Sequence, residues 1–83
     1  MSKRQKAIDR LLSKPSDYEW DELTFLMEAF GYEVKTGGGS ARKFIHCKSR
    51  ATLFMHQPHP AKILKAYQVR EAIHFLKQEK HLP

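Results

Sequence analysis

The sequence predicts an α+β fold: a three-stranded antiparallel sheet with helices packed on one face and the other face left open. Apolar residues recur at spacings of three and four near both ends of the chain, and in the middle the period shortens to two. Clusters of Gly, Pro, Ser and Asp separate these stretches. With 83 residues there is room for one hydrophobic core. A single domain over 1–83 is therefore expected, with an extra N-terminal helix in 1–14 and the main body in 17–80.

Ser2 to Ser13 reads as a short amphipathic helix, with Ile8, Leu11 and Leu12 on one side. Lys14-Pro15-Ser16-Asp17 breaks it, because Pro cannot continue a helix and Ser and Asp favour turns. Trp20 to Phe30 follows, carrying Trp20, Leu23, Met27 and Phe30 on one stripe with Leu26 beside it. Asp21 and Glu22 occupy its positive end, and Gly31 is placed to terminate it in the left-handed conformation.

Tyr32 to Thr36 alternates and reads as the first strand, with Tyr32, Val34 and Thr36 on one face. Gly37-Gly38-Gly39-Ser40 supplies a turn. The second strand is Arg42 to Cys47, Lys48-Ser49-Arg50 turns the chain, and the third runs from Ala51 to Gln57. Short connections make the three an antiparallel meander. Pro58-His59-Pro60 ends it, since neither proline can donate a ladder hydrogen bond. A last helix starts near Lys65 or Ala66 and runs to about Lys80, with Ala66, Val69, Ile73 and Leu76 as its stripe and Ala72 and Phe75 flanking.

Charge says more than composition. The chain carries 15 Lys and Arg against nine acids, a net charge of +6. From Val34 to Arg70 there is no Asp or Glu, while Lys35, Arg42, Lys43, Lys48, Arg50, Lys62, Lys65 and Arg70 all fall there, with His46, His56 and His59. A long acid-free stretch suits a phosphate backbone better than a merely solvated face. No apolar run approaches the roughly 20 residues of a membrane helix, and no secretory signal pattern follows the basic start. The lone Cys47 excludes an internal disulfide framework, so a reducing cytoplasm is the expected location.

The candidate chemistry is narrow. Gly37-Gly38-Gly39-Ser40 lacks the Lys and the following helix of a nucleotide-triphosphate loop, yet beside Arg42 and Lys43 its bare N–H groups can approach a phosphate. The alternation Phe44/His46 and Thr52/Phe54/His56 suggests His46 and His56 on one sheet face. With no carboxylate near them and no thiol beyond Cys47, neither a metal site nor a cofactor is expected. Two-metal nucleases need clustered carboxylates, which the basic stretch lacks. Cleavage, if the domain performs it, then requires a histidine base acting on a ribose 2′-OH, which only RNA supplies.

Glu22-Leu23, Phe30-Gly31-Tyr32, Gly39-Ser40-Ala41-Arg42-Lys43-Phe44 and Pro58-His59-Pro60-Ala61-Lys62-Ile63-Leu64-Lys65 come in an order and spacing that resembles the HicA toxins of bacterial toxin–antitoxin pairs. The likeness covers roughly Trp20 to Leu76. It implies a double-stranded-RNA-binding-domain-like fold, an mRNA-cutting endoribonuclease activity, and a HicB-like antitoxin that covers the active face. In that family the Gly-Ser pair is followed, at or near the next position, by the catalytic histidine. Here Ala41 stands there, and alanine has no titratable group. An engineered inactive variant, a subfamily using another histidine, and a member that binds without cutting all fit this departure. His59, which matches a histidine at the exit of the family's third strand, and His56 are the stand-in candidates. Lys35, Ser40, Arg42, Lys43 and Lys65 are the expected RNA-binding residues. The competing readings are a non-catalytic module for double-stranded RNA and a basic domain that docks an acidic protein.

Overall fold

A computed structural model describes residues 2–82, so Met1 and Pro83, the two ends of the expected 1–83 unit, lie outside the described residues. The elements run α1 (Lys3–Leu12), α2 (Trp20–Ala29), β1 (Tyr32–Thr36), β2 (Ala41–His46), β3 (Thr52–His56) and α3 (Ala66–Gln78). The α+β fold is the expected one: an open sheet in the order β1-β2-β3, both pairs antiparallel, with the helices on one side.

Ser2 starts α1, its Oγ accepting from the Gln5 N–H at 3.1 Å. Leu11 is fully buried, and Ala7 and Ile8 pack against the same core. Arg10 fastens this helix to α2. Its Nε and Nη2 donate to the two oxygens of Glu22 at 2.6 and 3.1 Å, and Nη2 also reaches Asp17. That guanidinium holds the Glu22 carboxyl below its ordinary range. Glu22 also accepts from the Glu19 N–H at 3.1 Å, satisfying a donor at the start of α2.

Trp20, Leu23, Leu26 and Met27 form the buried stripe of α2. Gly31 ends the helix at φ +95°, and a Cβ there would sit 3.2 Å from His46 Nε2, so glycine is needed twice over. Cross-strand register sets the two faces of the sheet. Tyr32, Phe44, Leu53 and Met55 point into the core, whereas Lys35, Lys43 and Phe54 form one row of the open face and Ala41 and His56 another. The first strap of the fold lies outside the sheet. Trp20 N donates to Lys62 O and Leu64 N to Tyr18 O, both at 2.8 Å, around a Glu19–Ile63 bridge.

Several sequence expectations need correction. His46 and His56 lie on opposite faces, because Ala41 pairs with His56 whereas His46 shares its face with buried Phe44. In α3 the buried stripe is Gln68, Val69, Ala72, Ile73 and Leu76, and Ala66 is exposed. Leu12 is exposed too, and Ala7 packs against the core instead. Cys47 belongs to the turn after β2 rather than to the strand, and is exposed. Tyr18, placed by sequence outside any element, is completely buried, with its hydroxyl donating to the Ala7 carbonyl at 3.2 Å.

Candidate nucleic-acid interface

The β1–β2 turn and the exit of β3 meet at one end of the sheet. Gly37 N donates to Ala41 O and Ala41 N to Gly38 O, closing the turn, and Gly39 takes φ +59°. Arg42 belongs to the helix-covered face, but at the strand end its Nη1 turns back to donate to the carbonyls of Gly39 (3.0 Å) and Ala41 (2.8 Å). One cation thereby stiffens the glycine turn. One residue past β3, Gln57 N donates to Ser40 O at 2.8 Å, and the Ser40 hydroxyl lies 3.1 Å from His56 Nδ1.

Beneath this pair sits Gln68, only 3% exposed. Its Nε2 donates to the His56 carbonyl at 2.8 Å, and its Oε1 accepts from the Lys65 N–H at 2.9 Å. The amide therefore ties the end of β3 to the start of α3. An open cleft of about 440 Å³ results, lined by Gly39, Ser40, Arg42, Gln57, Pro58 and His59. A second concavity shares Ser40 and His59 and adds His56 and Lys65. Of the sequence-chosen residues, Ser40, Arg42, His56, His59 and Lys65 are thus brought to one place.

Lys35 and Lys43 are directly opposite each other on the open face, one row from His56. Lys35 is not a free cation: its Nζ is 2.8 Å from Glu33, whose carboxyl it holds below the ordinary value. Lys43 is exposed. Lys48 and Arg50 sit at the β2–β3 turn, at the far end of the strands.

The His56 ring has a definite chemical alternative built in. When Nδ1–H donates to Ser40 Oγ, Nε2 carries a lone pair; when the Ser40 hydroxyl donates, Nε2 carries the proton. His46 has no such freedom. Its Nε2 donates to the Phe30 carbonyl at 3.1 Å, while Nδ1 accepts from the Lys48 and Ser49 N–H groups. His46 also stacks on His81, whose Nε2 lies 2.9 Å from the Tyr32 hydroxyl. Burial pushes the Tyr32 phenol up to about 12 and lowers His81. These rings are structural.

Gln68 escaped the sequence reading altogether. Its only signal was a Gln three residues after a helix-start position, a weaker pattern behind Lys65 than behind Ser or Thr. Among the described residues no helix is long and apolar enough to cross a membrane.

No curated protein and no solved structure matches this chain. Residues 20–78 match the family model of the HicA toxin of bacterial toxin–antitoxin systems, a span that takes in α2, the whole sheet, the cleft and α3. The match covers well over half of the sequence, and the chain belongs to the HicA toxin family, the toxin half of a pair whose other half is an antitoxin.

Proposed function

We propose that this chain is an RNA-binding endoribonuclease that cuts mRNA in the cytoplasm without a metal ion, with His56 and His59 sharing the acid–base work. A HicB-like antitoxin restrains it by covering the same cleft. The observation that carries the reading is the Ser40–His56 hydrogen bond at the edge of a cleft that also holds Arg42 and His59. Ala41 is the cross-strand partner of His56, so the His56 imidazole stands beside the position where the family places its histidine. A methyl group at 41 leaves that imidazole room.

In this reading Nε2 of His56, its Nδ1–H held by Ser40, takes the ribose 2′-OH proton. The 2′ oxygen attacks phosphorus, the bond to the 5′ oxygen breaks, and His59 supplies the leaving oxygen with a proton. The products are a 2′,3′-cyclic phosphate and a 5′-hydroxyl. Arg42, Lys43 and Lys65, with Lys35 in support, hold phosphates and offset the charge that grows on the pentacoordinate phosphorus.

Single-turnover cleavage of an mRNA fragment in EDTA is the test. His56→Ala and His59→Ala should each slow it by about 10²–10⁴-fold, and the double change Ala41→His/His56→Ala should recover part of the loss. Cleavage that EDTA abolishes, or a His56→Ala protein as fast as the parent, overturns the proposal. Ala41 itself favours a second reading, a toxin-family member that holds RNA without cutting it. Tight, salt-sensitive binding with no cyclic phosphate formed would establish that one.

A further inference from the structure

Three aromatic rings are exposed among the described residues, Phe25, Phe54 and Tyr67, and two of them share one surface. Phe54 is 50% exposed in the middle of β3, and Tyr67 is 48% exposed in the first turn of α3. Both line one groove between β3 and α3, which Arg70, Glu71 and His74 also line. Each ring leaves about half of its surface to solvent, and the placement of two such aromatics on one groove suits a ligand with an aromatic face of its own.

Their neighbours specify that ligand. Phe54 is the cross-strand partner of Lys43, so an exposed cation stands beside the ring. On its other side the Phe54 ring meets the His56 imidazole edge-on, with centroids 5.5 Å apart. Tyr67 is common to the groove and to the concavity that holds His56, His59 and Lys65. A flat apolar face beside cations and next to the reactive imidazole matches a nucleotide, with its base on the ring and its phosphate on the lysine. Glu71 suits this arrangement, since a carboxylate accepts from the amines of a base and repels phosphate.

The geometry points to Phe54 and Tyr67 as a stacking platform for unpaired bases next to the scissile phosphate, which makes the substrate single-stranded RNA rather than a duplex. This rests on the RNA-cleaving reading and names its substrate class. A paired base has its faces covered by its neighbours and cannot lie on a ring.

Fluorescence anisotropy with a labelled, uncleavable 2′-O-methyl strand tests it, alongside the same strand in a duplex and an abasic strand with the same backbone. The full chain should prefer the single strand to the duplex by tenfold or more. Phe54→Leu and Tyr67→Leu should each weaken single-strand binding by about tenfold. They should leave the slope of log affinity against log salt unchanged, because no phosphate contact is lost. On the abasic strand both should bind like the parent, and Phe54→Tyr should restore normal affinity. Equal affinity of parent and Leu variants for the single strand, an equal loss on the abasic strand, or a loss confined to antitoxin binding overturns the platform while leaving RNA binding in place. A parent protein that binds none of the strands in dilute buffer overturns the RNA reading itself, and the platform with it.

Discussion

The carboxamide of Gln68 supports the cleft from below. Gln68→Leu would leave the His56 carbonyl and the Lys65 N–H without their partners, a loss of about 1–3 kcal/mol that urea denaturation would measure. His81 makes a second prediction. Its pKa is lowered from 6.5, so below that value the unfolded chain takes up a proton that the folded chain resists. The stabilisation is complete above pH 6.5 and is lost as the pH falls from there through the lowered folded value. Thermal melts between pH 7.5 and 5 should fall less steeply in His81→Phe than in the parent. Side chains of this kind were the least legible in the sequence. Apolar periodicity finds Val69 and Ile73 but has no means of ranking a glutamine as buried, and it gives no sign that Tyr18 fills the core.

The elements were far more legible, because each has a physical punctuation mark. Gly31 ends α2 and Pro58 follows β3, as the sequence indicates. What escaped was the register of the β2–β3 hairpin. Ile45 pairs with Thr52, so an even number of residues intervenes and even positions of β2 face odd positions of β3. That parity separates His46 from His56, and no local propensity reveals it. Backbone conformation at the helix ends gives two predictions. Lys80 sits just past α3 at φ +64°, where a side chain is disfavoured, so Lys80→Gly should stabilise by about 1 kcal/mol in chemical denaturation. Gly31→Ala should cost about 1–3 kcal/mol, since φ +95° and the nearby His46 ring both oppose a Cβ.

Across the whole molecule the basic charge is divided. Arg42 and Lys65 line the cleft end and Lys43 lies one row along the open face, whereas Lys48 and Arg50 occupy the other end of the strands. Five-residue strands separate the two ends by roughly 16 Å, beyond the Debye length of about 8 Å at physiological salt. Lys43→Gln and Lys65→Gln should therefore each reduce the salt slope of single-strand RNA binding by about 0.7, and Lys48→Gln and Arg50→Gln should leave it nearly unchanged. The charge excess and the acid-free interval were plain in the sequence. Their division between two ends was not, because it follows from where the hairpin turns.

The pairing of Tyr18–Trp20 with Lys62–Leu64 has a mechanical consequence. The His59 segment is moored at both ends, to Ser40 through Gln57 and to the α1–α2 connection through Lys62 and Leu64. Only a short bow of chain remains between the moorings, so His59 is held at the edge of the cleft before any ligand arrives. Deuterium labelling should find the Trp20 and Leu64 amides as slow to exchange as those of the central strand, marking a jaw that is already set.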